Sequence, residues 1–331
     1  MIKQMFWVAM LLLLCVATGY GQYNGECWVV SKGDTVYKLY ADGNADPQVI
    51  PNLPQASAAE VNPADGVVWI AVSAANTVYR YNPNTGDFLA IPDINRPNMV
   101  SINPADGSAW IAGYDGVKKV VETQLDDGTR ALQAVVTIPA HEPAVAVNPK
   151  DGSAWITNAR GPIERYDAAG TKIADAPTMG EPKGVTVDYE GNAWIADSQH
   201  SVLMRVSPSG QKLVEITDIP NPTSPRINLV DGSVWVVSQQ SMLVNLTADG
   251  TKTTEVVEAD GTKVPGFLAG MAIVAISVSP ADGGIWVADL LGETFQGEIS
   301  KWRWDGQTPT QLFKNPIPQP SSVSVGYWTG N

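Results

Sequence analysis

Residues 61–71 read Val61-Asn62-Pro63-Ala64-Asp65-Gly66-Val67-Val68-Trp69-Ile70-Ala71. An extended run ends at the branched valine, Asn-Pro opens a turn, Asp-Gly closes it, and an apolar strand carries the tryptophan onward. Glycine belongs at the close because such turns need a positive φ that other side chains resist. The phrase returns at Ile102 to Trp110, at Val147 to Trp155 and, with Ser279 in place of asparagine, at Val278 to Trp286. Outward from it, tryptophan marks a longer register. Trp28, Trp69, Trp110, Trp155, Trp194, Trp235 and Trp286 are 41, 41, 45, 39, 41 and 51 residues apart, each with a glycine three positions earlier. Self-similarity at such a period means one supersecondary unit repeated, and the fold must be read from that unit.

After each tryptophan strand comes a run that alternates apolar and polar residues, such as Val78-Tyr79-Arg80-Tyr81 and Ile163-Glu164-Arg165-Tyr166. Period-two alternation marks a strand with one buried face. A second glycine turn follows, the first at Gly43 and the last at Gly306, and then a fourth strand ending near prolines such as Pro92, Pro139 and Pro220. Each unit is thus four short antiparallel strands, A to D, with no amphipathic helical stretch. Such units predict an all-β fold, a seven-bladed β-propeller. The first tryptophan strand has no A strand before it, and the tail supplies one in Ser321-Ser322-Val323-Ser324-Val325. The C-terminal strand is therefore expected to complete the first blade, which removes an unpaired edge.

Composition agrees. Of 331 residues 44% are hydrophobic and 17% charged, which excludes disorder as the main state. Thirty glycines and 24 prolines argue against a helical bundle, and two cysteines cannot staple a chain of this length. The net charge of −13 argues against a nucleic-acid partner. Residues 1–21 read as a signal peptide: Lys3, an apolar run from Met5 to Val16, then small residues with cleavage after Gly19 or Gly21. The run is too short to span a membrane. Removing it takes away Lys3 and Cys15, leaving 20 basic and 34 acidic residues, a net of −14. Residues 22–331 are then expected to form one domain, monomeric, without a membrane span, and secreted or periplasmic. Cys27 is left alone and reads as a buried small hydrophobe.

The phrase Asn-Pro-Ala-Asp-Gly-x-x-Trp-Ile-Ala, with Val-x-Arg-Tyr after it, resembles the secreted bacterial propellers built from NHL-type or YVTN-type repeats. It is similar as well to the gluconolactonase-like (senescence-marker-protein) lactonases and to the virginiamycin B lyase family. The resemblance covers residues 25–325 and implies architecture, since many activities share this fold. The lactonases imply Glu, Asn and Asp from different blades around one divalent ion that polarises a lactone carbonyl. No motif here matches theirs closely enough to assign those ligands residue by residue.

Residues that recur in every blade build it, so the seven tryptophans are expected to pack between blades. Residues that differ between blades, on the face made by D-to-A and B-to-C connections, are the functional candidates. Glu142, Asn158, Glu181, Asp197 and Asp289 form an oxygen-rich set suited to Ca2+, set against a plain acidic rim. His141, Arg160, His200 and Arg226 are polar contact candidates on the same face. With two histidines a three-histidine zinc site is excluded, and no nucleophile elbow or phosphate-binding glycine loop is present. The widest spacing leaves extra length in Ala259–Ala272, read as a D-to-A connection, and Leu290 to Glu298 reads as a long B-to-C connection. Phe267, Leu268, Leu290, Leu291 and Phe295 would give these an apolar lip, either a contact surface or a local cap. The leading expectation is a non-enzymatic platform that binds a protein, peptide or glycan. A calcium-dependent lactonase-type hydrolase is the alternative, and a lyase the third.

Overall fold

Seven four-stranded antiparallel sheets stand around a central axis in the computed structural model, with a single 3-10 turn, Ser73–Ala75, as the helical content of the described residues. The described residues are 26–31, 35–40, 42, 45–228, 231–257, 263–270, 272–279, 282–291, 296–306 and 309–325; the expected signal segment lies outside them. The inner A strands of blades 1 to 7 are Pro320–Val325, Ala56–Val61, Met99–Ile102, Val145–Val147, Pro182–Val187, Thr223–Ile227 and Ile273–Val278. Blade 1 is closed by the C-terminal strand: Pro320–Val325 pairs antiparallel with Cys27–Ser31, Val323 facing Val29 across the ladder.

The repeated turn works as its residues dictate. Asn62 Oδ1 accepts the Ala64 N–H at 3.1 Å, and Asp65 Oδ1 accepts the Val67 N–H at 3.0 Å. Asn103 and Asn148 hold Ala105 and Lys150 in the same way. The glycine is needed twice over. Gly152 has φ +70°, and a Cβ there would lie 2.7 Å from Nδ2 of Asn103 in the preceding blade.

The tryptophans fill the seams. Trp69, Trp110, Trp155, Trp194 and Trp286 are fully buried, and Trp28 and Trp235 nearly so. Trp69 packs on Val100, Ile102, Ala109 and Ile111 of blade 3, and Trp286 on Cys27, Val29 and Val323 of blade 1. The indole N–H groups of Trp69, Trp110, Trp194 and Trp286 lack a hydrogen-bond partner among the described residues. An unmet donor costs about 1–3 kcal/mol. Burying 150–250 Å² of ring returns about 4–6 kcal/mol, so the seam favours the tryptophan despite the loss.

A second repeated device lies on strand C. Directly across the ladder from the tryptophan stands a cation: Lys38, Arg80, Lys119, Arg165, Arg205 and Lys301 face Trp28, Trp69, Trp110, Trp155, Trp194 and Trp286. Each ends on an acidic residue just before strand B, as in Arg165–Asp151 at 2.7 Å and Lys301–Asp282 at 2.8 Å, and Lys38, Lys119, Arg205 and Lys301 lie over the ring they face.

One expectation about connections is corrected. Ala259–Ala272 is not a D-to-A connection. Phe267–Leu268 is the D strand of blade 6, pairing with Met242 and Leu243. Before it a hairpin, Glu255–Val257 with Lys263–Pro265, is inserted between strands C and D, at the other end of the blade. The reason is burial. Phe267 is 3% exposed, edge-on to Trp235 at 6.1 Å, tilted to Trp302 at 5.6 Å and stacked on Trp304 at 5.8 Å. It seals the seam between blades 6 and 7 and is no part of an exposed lip. In blade 7 strands B and C, Ile285–Leu291 and Gln296–Trp304, run on past Asp289 as a longer hairpin. Leu290 is partly buried there. The side chains of Leu268 and Leu291, and all of Phe295, lie outside the described residues.

Candidate functional site

Three positions after the tryptophan of blades 4 to 7, on the D-to-A and B-to-C face, one side chain ties this end of the blade to the D-to-A connection that precedes it; blades 2 and 3 have Val72 and Gly113 there. Asn158 Oδ1 accepts the N–H of His141 at 3.2 Å and of Arg160 at 3.0 Å. Asp197 Oδ2 accepts the N–H of Gly180 at 2.9 Å and of Glu181 at 3.0 Å, while Oδ1 takes that of His200 at 3.1 Å. Asp289 Oδ1 accepts the Ala272 N–H at 2.6 Å, and Ser238 donates to the Pro220 carbonyl at 2.8 Å. Burial alone would push the Asp197 carboxyl up. The N–H groups of Glu181 and His200 and the imidazole outweigh burial and hold it below its ordinary value.

The five oxygen-bearing residues expected to share a cation are therefore separate. Asn158, Asp197 and Asp289 each organise their own loop. Glu142 is exposed, and Glu181 pairs with Lys183 at 3.5 Å. Among the described residues no group of three or more His, Cys, Asp or Glu could hold a metal ion.

Two constellations on this face do converge. His200 Nδ1 lies 2.9 Å from Asp197 Oδ2, with the His200 side chain 53% exposed and Asp197 1% exposed. The tautomer that donates from Nδ1 leaves Nε2 as a base open to solvent. In blades 2 to 4, Tyr114 is the centre of a stack. Arg96 lies over its ring at 5.7 Å and His141 meets it edge-on at 5.2 Å. Tyr114 is 40% exposed, and Arg160 is exposed on the blade 4 loop. The backbone beneath is strained. Arg96, Glu142, Ser224 and Gln319 each precede a proline at the start of an A strand and have φ of 45°, 44°, 49° and 45°. Residues before proline favour extended backbone, and a left-handed non-glycine costs on the order of 1–3 kcal/mol. Hydrogen bonds hold the strain in place: Arg96 N–H to Asn76 Oδ1 at 2.8 Å, Glu142 N–H to the Tyr114 carbonyl at 3.0 Å.

Arg226, expected on this same face, lies elsewhere. It stands opposite Trp235 on the A strand of blade 6 and lines the axial channel. The channel holds a cavity of about 230 Å³ that reaches Pro63, Pro104 and Pro149, at the A-to-B turn end of the ring. The positions opposite the tryptophans form a ring around it: Ser324, Glu60, Ser101, Ala146, Thr186, Arg226 and Ser277. The ring carries one acid and one base. Burial pushes the Glu60 carboxyl up from 4.5 to about 7, with Arg226 and the 3.2 Å hydrogen bond from Ser324 opposing the rise. Burial likewise lowers the Arg226 guanidinium, and Glu60 opposes that shift. Both side chains keep some surface because they face the tunnel, yet protein surrounds them, so their charges are poorly solvated. Glu60 escaped the sequence reading, although a signal existed: it sits nine residues before Trp69, as Ser101, Ala146, Arg226 and Ser277 sit nine before theirs.

No family model matches the sequence, and no curated protein matches it. Solved structures do. A streptogramin B lyase is 15% identical over 92% of this chain and 93% of its own, with a TM-score of 0.61. Virginiamycin B lyase from Staphylococcus aureus is 18% identical over 81% of this chain and 91% of its own, at 0.60. A chain of the mitotic checkpoint complex is 13% identical over 81% of this chain and 80% of its own, at 0.61. At these identities the likeness is one of fold, and it spans lyases and a checkpoint complex alike. This chain is a seven-bladed β-propeller.

Proposed function

We propose that this chain is an extracytoplasmic binding propeller whose recognition surface is the D-to-A and B-to-C face of blades 2 to 4, with a peptide or glycan as its ligand. The observation that carries it is the Arg96–Tyr114–His141 stack, part-exposed and mounted on strained loops. Aromatic rings and arginine on a rigid base are what recognition hot spots use. A bound Ca2+ is not part of this reading, because Asn158, Asp197 and Asp289 are each engaged by their own loops. Peptide and glycan arrays probed with residues 22–331 test the reading. Tyr114→Ala should weaken the ligand found by about 2 kcal/mol, a factor of tens, at unchanged melting temperature. A ligand held equally by Tyr114→Ala would refute this surface.

A second reading has its own observation. The His200–Asp197 pair is a base with an orienting carboxylate, and two of the folds it resembles are lyases. One solved neighbour is a catalytically inactive virginiamycin B lyase with quinupristin. Under this reading wild type converts quinupristin to a product resolved by chromatography, and His200→Gln reduces the rate by about 100-fold or more. An intact substrate after prolonged incubation with wild type removes quinupristin from consideration.

A further inference from the structure

Blade 6 breaks the repeat at one position. Every other blade places a lysine or arginine opposite its tryptophan, and that cation ends on a carboxylate. The pairs are Lys38–Glu26 at 3.0 Å, Arg80–Asp65 at 3.5 Å, Lys119–Asp106 at 3.4 Å, Arg165–Asp151 at 2.7 Å, Arg205–Asp188 at 2.7 Å and Lys301–Asp282 at 2.8 Å. Four of these cations lie 5.4 to 6.0 Å from the ring centre they cover. In blade 6 the residue opposite Trp235 is Asn245. Its short amide stays at the sheet, with Oδ1 accepting from Thr253 Oγ1 and Nδ2 donating to the Val234 carbonyl.

The missing arm leaves a space. A cavity of about 360 Å³ is lined by Asp231, Ser233, Trp235 and Asn245 and, from blade 7, by Asp282 and Trp304. That is the small end of the range for ligand sites. Asp282 is already paired with Lys301. Asp231 accepts the Ser233 N–H at 2.8 Å, and among the described residues no cation reaches it. The turn carboxylate and the tryptophan are therefore both in place, and the cation that joins them in the other blades is absent.

We propose that this cavity is a socket for a cationic side chain, an arginine or lysine supplied by a peptide ligand. The other blades show the fit: in all six a guanidinium or ammonium reaches the acid, and in four of them the cation also lies over the indole. A carboxylate with an aromatic ring attracts a cation twice, by charge and by the ring quadrupole. A neutral stem of the same length would leave Asp231 unpaired. The socket is at the A-to-B turn end of blades 6 and 7, away from the Tyr114 stack, so it stands or falls independently of that surface.

Calorimetric titration of residues 22–331 with Nα-acetyl-arginine amide, Nα-acetyl-lysine amide and neutral Nα-acetyl-norleucine amide tests it. The two cations should bind at least about tenfold more tightly than norleucine amide. Asp231→Asn, which keeps the acceptor for the Ser233 N–H, should remove that preference. Asn245→Arg should fill the socket from within and abolish binding of all three probes while the chain stays folded by circular dichroism. Tyr114→Ala should change nothing. The proposal is overturned if wild type binds none of the probes, if it binds the neutral one as well as the charged ones, or if folded Asn245→Arg binds as wild type does. Should Asn245→Arg not fold, the wild-type panel and Asp231→Asn still decide.

Discussion

Truncation after Ile317 is expected to abolish cooperative folding. The deleted tail holds Pro320–Val325, which is the inner strand of blade 1, five registered pairs with Cys27–Ser31. Val323 packs with Cys27, Val29 and Trp286 across the blade 7 to blade 1 seam. Ser321 Oγ also donates to the Ala56 carbonyl of blade 2 at 3.0 Å, and Ser324 Oγ to Glu60. Each ladder hydrogen bond contributes about 1 kcal/mol net. Uncovering the valine and its neighbours adds about 1.5–3 kcal/mol per large side chain. The sum rivals the 5–15 kcal/mol that keeps a domain folded. An open ring would also present the Cys27–Ser31 edge for pairing with other chains. Circular dichroism melting and gel filtration should show a non-cooperative, self-associating species. A truncated monomer melting within a few degrees of the full chain would show that closure is dispensable.

The second large effect concerns Glu60. Its carboxyl is raised from 4.5 to about 7 in the fold, so the folded state holds a proton that the unfolded chain has released between those values. Stability must fall as pH climbs through that window, because the unfolded state then binds fewer protons. The penalty is absent below about 4.5 and complete above about 7, on the order of 3 kcal/mol. Other carboxylates pull the opposite way: hydrogen bonds, joined by Lys119 at Asp106, His200 at Asp197 and Lys301 at Asp282, depress them against burial, and their contribution is lost in acid. The clean measurement is therefore a difference. Glu60→Gln keeps the acceptor for Ser324 and stays neutral. It should match wild type near pH 4.5 and exceed it progressively toward pH 8, where its melting temperature should be about 5 °C higher. Equal stability across the whole range would mean that Glu60 is as well solvated in the channel as in water.

Much of the architecture is visible in the residues because the repeat states it many times over. Asn62, Asp65 and Gly66 make the same local turn as Asn103, Asp106 and Gly107. Such Asx and glycine chemistry acts over two or three residues and needs no tertiary partner. The closing strand was readable by subtraction, since Trp28 lacked an inner partner and the tail had a spare alternating segment. The connections of blade 6 were not readable in this way. The extra length between Trp235 and Trp286 could be assigned to either end of the blade, and only the burial of Phe267 against Trp302 and Trp304 makes its segment strand D.

The candidate sites divide along the same line. Asn158, Asp197 and Asp289 each accept a backbone N–H of the loop they adjoin, an engagement that composition does not reveal. Glu60 and Arg226 are far apart in sequence and line one channel only because the ring brings blades 2 and 6 around one axis. Asn245 looks like any surface asparagine until the ladder sets it opposite Trp235, where its neighbours carry a cation. Periodic residues thus determine the blade, its turns and the number of blades, because these rest on contacts within about forty residues. Which side chains share a channel, a seam or an empty socket depends on closing the ring, and that long-range geometry exists only in the tertiary structure.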